Sequence, residues 1–212
     1  GYEQILSAFS NHEADILIGT QMIVKGHDFP GVTLVGVLAA DLSLYISDYR
    51  ASERTFQLLT QAAGRAGRGE VPGNVIIQTY DPKHYSITTA KEQNYEAFYE
   101  QEIEYRKLMR YPPVWNMLYI LCASKNESAA DEAAAELMEK INQTAKKSSE
   151  GIYPIGPSNA PVAKISDVYR KVIYVKTKEY QTLVILKDDL EVFMKDNPRY
   201  QNVAVGFDFN PV

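Results

Sequence analysis

Cysteine is nearly absent from this chain: one residue, Cys122, stands among 212. A lone thiol forms no internal disulfide, and it falls short of the about four ligands a structural zinc needs. Cys122 lies in an apolar run and reads as a small buried hydrophobe. One cysteine also suits a reducing cytosol, and a cytoplasmic location is expected. No apolar run approaches the length of about 20 residues that spans a membrane, and no signal-peptide pattern is visible. Missing as well are a G-x-x-x-x-G-K-[ST] loop to cradle a triphosphate and a D-E-x-H to hold magnesium after a strand. Positive charge is not in excess: 22 Lys+Arg face 27 Asp+Glu, for a net charge of −5. Residues 1 to 80 carry 5 basic against 8 acidic side chains and residues 81 to 212 carry 17 against 19, so neither half is a general polyanion binder. Contact with nucleic acid must then be local, through particular basic stripes and backbone amides.

Against these absences stands one dense motif, Gln61 to Arg68. Gln61, Arg65 and Arg68 fall at i, i+4 and i+7, and on a helix they project from one face. Two permanently charged guanidiniums beside an amide suit a phosphoryl group in transfer. Gly64 and Gly67 remove side chains, so a partner surface can approach the backbone. The plainer reading is a glycine-loosened helix end with solvated arginines, and the upstream sequence weighs against it. The apolar run before Gly19, in Asp15 to Ile18, predicts a buried parallel strand, followed by a loop from Gly19 to Asp28. A second apolar run, Val32 to Ala40, ends at Asp41. A helix is predicted over Ser52 to Ala63, with Ser52 as its cap and Phe56, Leu59 and Ala63 on one face. After Pro72-Gly73, Val75 to Tyr80 predicts another strand. Strand, loop, strand, helix, strand makes an α/β layer, whose chemistry gathers at the carboxyl ends of the strands. The loop from Gly19 to Asp28 falls there, as does Asp41, which reads best as a strand-end residue satisfying nearby amides.

The segments Ile16 to Asp41 and Arg50 to Pro82 resemble motifs V and VI of superfamily-two helicases. The match is closest to the bacterial primosomal replication-restart helicases. Tyr111 to Pro113 and Gly156 to Lys164 extend the likeness, and Phe207 to Pro211 continues it more loosely, so it covers essentially the whole chain. The glutamine–arginine element is common to many helicases, while the string from Gly19 through Pro30 points to this family. The resemblance implies an ATP-dependent 3′-to-5′ DNA helicase that recognises stalled or branched forks and restarts replication by primosome assembly. It implies a partial RecA-like lobe 2, in residues 1 to 80, and a DNA- or partner-binding C-terminal domain, in residues 81 to 212. Arg65 and Arg68 would be arginine fingers, with Gln61 binding or sensing the nucleotide. Gly26 and Asp28 would lie near the nucleotide at the lobe interface. Gly19 and Thr20 would contact a DNA phosphate, and Lys25 and His27 would touch nucleic acid or the opposing lobe; His27 also reads as a satisfied loop histidine. ATP and Mg2+ would be held mainly by a first lobe, and zinc by a cysteine-rich region, neither of which this chain contains. The implied partners are branched or single-stranded DNA, the acidic tail of the single-strand-binding protein and other primosome proteins, in the nucleoid and away from membranes. The chain, opening at Gly1, is expected to be the C-terminal part of a longer protein, inactive alone. Two alternatives stay open: a non-catalytic DNA- or partner-binding module, and another branch of superfamily two acting in repair or on RNA.

In the second half, Asp81 is predicted to cap a helix with Pro82 at its first position. Helical sequence then runs to about Arg110, broken near Gln93-Asn94, with Tyr95, Tyr99 and Ile103 stacked on one face. Strands are predicted at Trp115 to Ser124, Arg170 to Thr177 and Val203 to Phe209, with a further one within Gly151 to Lys164. Helices are predicted from Ser128 to Lys147, with Ala130, Ala134, Leu137 and Ile141 inward, and from Glu179 to Asp196. This order predicts a small α+β ferredoxin-like sandwich. Lys164, Arg170, Lys171, Lys176 and Lys178 crowd one stretch, opposed only by Asp167 and interleaved with Tyr169 and Tyr174. Lys171 and Lys176 are the candidate DNA-binding lysines. Basic residues with aromatic faces suit single-stranded DNA or an acidic tail, and a lysine-protected strand edge is the competing reading.

Overall fold

The computed structural model describes residues 1–23, 29, 31–67 and 71–211. It divides into two compact units, Gly1–Glu102 and Ile103–Val212, so Asp81 and Pro82 lie within the first. That unit opens with helix α1 (Tyr2–Ser10) and a short 3-10 turn at Gln21–Ile23. Strand β1 (Leu34–Val37), helix α2 (Ala51–Ala63), strand β2 (Asn74–Ile77) and helix α3 (Tyr85–Lys91) follow, and helix α4 (Tyr95–Met109) carries the division between the units. β1 and β2 pair in parallel, Leu34 with Asn74 and Val37 with Ile77. Parallel neighbours cannot be joined by a tight hairpin, and α2 supplies the crossover. The core gathers Phe56 and Leu59 of α2, Ile87 and Ala90 of α3, and Phe98 of α4. The Phe56 and Phe98 rings stack with centroids 4.3 Å apart.

Asp15 to Ile18 is not a strand: Ile18 is 88% exposed, and the sheet holds β1 and β2 alone among the described residues. An apolar run becomes a strand only when a neighbour pairs with it. Ser52 is not the cap of α2; Arg50 occupies that position, and its N–H donates to Asp48 at 2.9 Å. Asp81 does not open a helix; its N–H donates to the Thr79 hydroxyl oxygen at 3.0 Å and to Asp41 at 3.3 Å, and no helix begins at Pro82. α3 begins at Tyr85 instead, where the His84 ring nitrogen Nδ1 accepts the Ser86 N–H at 3.2 Å. On α4 the buried face is Phe98, Glu102 and Arg106, while Tyr95 and Tyr99 are exposed. The two charged residues go inside because each has a partner: Glu102 accepts from the Tyr85 hydroxyl at 2.7 Å, and Arg106 donates to the Pro112 carbonyl at 3.0 Å.

The second unit runs β3 (Asn116–Ser124), α5 (Glu127–Lys147), β4 (Tyr153–Ile165), β5 (Val168–Thr177), α6 (Tyr180–Lys195) and β6 (Ala204–Phe209). Its antiparallel sheet has the order β4-β5-β3-β6, the ferredoxin-like arrangement that the sequence predicts. Asn126, rather than Ser128, caps α5 by accepting the Ala129 N–H at 3.3 Å. Strand alternation turns Leu118, Ile120, Ile173 and Val175 toward Leu137 and Ile141 of α5 and toward Leu183, Leu186 and Leu190 of α6. Cys122 is fully buried in this core, and burial pushes its thiol up to about 12. Gly156 is required where β4 bends: at φ +115 a Cβ would stand 2.8 Å from the Val172 carbonyl oxygen. Among the described residues no helix is long and apolar enough to cross a membrane. Leu137→Ala should cost about 2–5 kcal/mol of stability in chemical denaturation. The same truncation at the exposed Leu108 should stay within about 0.5 kcal/mol.

Candidate functional site

Asp41 sits where the carboxyl ends of β1 and β2 meet. Ala39 takes a left-handed turn at φ 50 after β1, and the chain enters a 3-10 turn at Ala40–Ser43. The Asp41 carboxylate, buried at 2% exposure, accepts the Thr79 hydroxyl, the Tyr80 N–H at 2.8 Å and the Asp81 N–H at 3.3 Å. The Thr79 hydroxyl and the Tyr80 amide hold its pKa below the ordinary 3.8. Asp41 is thus the strand-end pin that the sequence suggests, and it ties the loop after β2 to the loop after β1.

The glutamine–arginine motif straddles the end of α2. Gln61 lies in the last helical turn and is exposed. The helix stops at Ala63, and Arg65 and Ala66 continue in tighter turns, their N–H groups bonding Ala62 and Ala63 carbonyls at 3.0 and 3.2 Å. The single helical face proposed for the whole motif therefore ends before Arg65, which is half-buried in the following turn. Glycine 67 has a reason internal to the fold. It adopts φ +72, and a Cβ there would come 2.5 Å from the Gly73 nitrogen, while a Cβ on Gly73 would collide with the Ala66–Gly67 peptide. The chain crosses itself at these two glycines, and the Gly67 N–H donates to the Val32 carbonyl at 3.0 Å. A Cβ at Gly64 would meet only ordinary contacts, at 3.5 Å or more. Gly19 and Thr20 are exposed on the segment ahead of the Gln21–Ile23 turn. Lys25, Gly26, His27, Asp28 and Arg68 lie outside the described residues.

Sequence reasoning overlooked an ionic cluster at the start of α2. Asp48 pairs with Arg54 at 2.8 Å and Arg50 at 3.5 Å. Its signal is the D-x-R-x-x-x-R spacing of Asp48, Arg50 and Arg54. The cluster fixes the entry of the helix whose far end carries Gln61, and Arg54 shares a helical stripe with Gln61 seven positions on.

In the second unit, both candidate lysines are engaged by the protein itself. Lys171 pairs with Asp131 at 2.7 Å and Glu127 at 3.8 Å, both on α5. Lys176 is buried, donates to the Met109 carbonyl at 2.9 Å and lies 3.8 Å from the Tyr111 ring centroid. Burial, and secondly Arg110, lower its pKa. Lys164 pairs with Asp167 at 3.0 Å. Among the described residues no three His, Cys, Asp or Glu side chains converge as metal ligands.

Residues 2–70 match the Helicase conserved C-terminal domain. With the parallel strands and the crossover helix, this makes the first unit part of a RecA-like helicase lobe 2. Residues 107–212 match the Primosomal protein N C-terminal domain, and the chain belongs to that family. Three curated proteins called "Replication restart protein PriA" are similar to it. The one from Bacillus subtilis (strain 168) is 48% identical over 99% of this chain and 26% of its own length. Those from Synechocystis sp. and Borreliella burgdorferi are 40% and 37% identical, over 87% and 98% of this chain and 22% and 30% of their own lengths. The chain thus spans about a quarter of the length of these relatives. Among solved structures, the designed protein Foldit4 aligns with a TM-score of 0.34 at 10% identity, over 45% of this chain and 94% of that one.

Asp41 carries a pH prediction. Its folded pKa is depressed, so its contribution to stability is full above the unfolded value of about 3.9 and is lost as pH falls through the folded value. Asp41→Asn should therefore lower the melting temperature at pH 7, and the difference from the parent should shrink as pH drops below about 3.9. An Asn variant equally destabilised at pH 7 and pH 2.5 in thermal scans would remove the carboxylate's charge from this account.

Proposed function

We propose that this chain forms the C-terminal part of an ATP-dependent 3′-to-5′ DNA helicase that recognises branched forks and restarts replication. The observation that carries the reading is the match to a helicase C-terminal domain over residues 2–70, with Gln61, Arg65 and Arg68 inside it, joined in one chain to the Primosomal protein N C-terminal domain. The triphosphate and Mg2+ would be gripped by a companion lobe, and this chain contributes the second wall of the pocket. Arg65 and Arg68 neutralise charge spreading over the transferred phosphoryl oxygens, and Gln61 reports the state of the nucleotide to α2. Gly26 and Asp28 border the same cleft. Gly19, Thr20 and Lys25 meet a DNA phosphate. The chain alone hydrolyses no ATP on this reading.

The region from 81 onward is the DNA- and partner-docking part, acting in the cytoplasm at the nucleoid with the single-strand-binding protein and other primosome proteins as partners. Zinc belongs to a cysteine-rich region elsewhere in the longer protein. In that longer protein, Arg65→Ala or Arg68→Ala should lower DNA-stimulated ATPase by about 10³-fold or more while sparing fork binding. Steady-state ATPase assays with forked DNA, paired with a binding assay, measure both. Normal turnover in both variants would refute the arginine-finger assignment.

A further inference from the structure

The sheet of the second unit has two faces, and its helices use one. Leu118, Ile120, Ile173 and Val175 point toward α5 and α6. The intervening positions point the other way, where Met117, Val172 and Lys176 are covered while Tyr119 and Tyr174 stay partly open. There, at the centre of the sheet, Tyr119 of β3 stands directly across from Tyr174 of β5, with ring centroids 5.3 Å apart. Both rings keep part of their surface exposed. These two strands are the first and third of the β-α-β-β-α-β order. Paired aromatics on the central strands of such a sheet are the arrangement on which single-stranded nucleic acids stack their bases.

One step along the strands, the aromatic surface continues. Tyr153 of β4 is the register partner of Lys176, two residues beyond Tyr174. The Arg110 guanidinium lies 3.7 Å from the Tyr153 ring centroid and 5.4 Å from that of Trp115, and the two rings meet edge to face at 5.4 Å. Lys178 approaches the same indole at 5.7 Å. Among the described residues neither Arg110 nor Lys178 has a carboxylate at ion-pair distance. Arg170 stands at the other end of β5, and its charge opposes the effect of burial on the Tyr119 hydroxyl. Cations therefore mark both ends of this face. The acid facing its centre is Asp208, the β6 partner of Tyr119.

We propose that this outer face binds single-stranded DNA, with unpaired bases stacked on Tyr119, Tyr174 and the Arg110–Tyr153–Trp115 layer and with phosphates at Arg170 and Lys178. The proposal rests on the DNA-docking reading of this region and gives it a surface. An acidic peptide fits less well: Asp208 in the middle repels carboxylates, whereas it accepts hydrogen bonds from the amino edge of a base. A duplex fits less well too, because its bases are already stacked.

Trp115 is the chain's sole tryptophan, so its fluorescence reports on this face directly. Titration with oligo(dT) should quench it. Tyr119→Leu/Tyr174→Leu should weaken oligo(dT) binding by at least about tenfold in fluorescence anisotropy. Tyr119→Phe/Tyr174→Phe keeps the rings and should bind within about twofold of the parent. Arg110→Gln should make the salt dependence shallower by about 0.7 in logarithmic slope. Thermal scans identify any variant that fails to fold, and the phenylalanine pair and Arg110→Gln then carry the test. Parent-like binding by a folded leucine pair, or loss of binding in the phenylalanine pair, would overturn the stacking face while leaving DNA docking intact. No binding of any DNA by the parent chain would overturn both. Displacement of the oligonucleotide by polyglutamate at equal affinity would reassign the face to an acidic peptide.

Discussion

Leu118 faces Val175 and Ile120 faces Ile173 across the central strand pair of the second unit. That register decides what the unit buries and what it offers. One face becomes the floor of a core closed by α5 and α6, where a leucine side chain contributes about 1.5–3 kcal/mol when fully buried. The other face receives whatever sits between, and here it receives Tyr119, Tyr174, Lys176 and Arg170. Slipping β5 by one residue would exchange the two sets, turning Ile173 and Val175 outward and Tyr174 and Arg170 into the core. The hydrophobic requirement of one face therefore fixes the chemistry of the other, with no separate device to hold the tyrosines together.

The first unit is organised by polar pins rather than by a large core. Asp41 gathers the ends of both parallel strands through the Thr79 hydroxyl and two amides, and Asp48 fastens the entry of α2 through Arg50 and Arg54. At the exit of α2 the backbone crosses itself at Gly67 and Gly73, where no side chain fits on either strand of the crossing. These three points fix the path of the segment that carries Gln61 and Arg65. The proposed phosphoryl-transfer site would gain from this, since arginine fingers act by position and field rather than by bonds made or broken. The apolar cluster of Phe56, Ile87 and Phe98 lies beside α2 and leaves Leu34, Leu38 and Ile76 exposed.

In a chain of negative net charge, contact with a polyanion depends on where individual cations are left unpaired. Lys171 and Lys176 look alike in sequence to Lys178 but are spent inside the protein, one on the acids of α5 and the other on a carbonyl and a tyrosine ring. Arg110, which stood out in no basic run, is stacked on Tyr153 and, among the described residues, has no carboxylate at ion-pair distance. Charge density along the chain is thus a poor guide to charge density on the surface. What matters is which face of a strand a residue occupies and what lies opposite.

The sequence by itself determined the element order of the second unit, the strand–helix–strand run of β1, α2 and β2, the inward face of α5, the buried state of Cys122 and the glutamine–arginine motif. Each of these rests on local periods of 2 or 3.6 residues or on motifs written in consecutive positions. It erred where a residue's fate depends on a distant partner. The Asp81 amide is held by Thr79 and Asp41 where a helix start is expected, Arg50 rather than Ser52 precedes α2, and among the described residues Asp15 to Ile18 meets no neighbouring strand. Only the tertiary structure brought Tyr119 beside Tyr174, Trp115 beside Tyr153, and Gly67 against Gly73. Strand register and backbone crossings are non-local, and no short-range pattern encodes which of two chemically similar side chains will meet a partner and which will meet water.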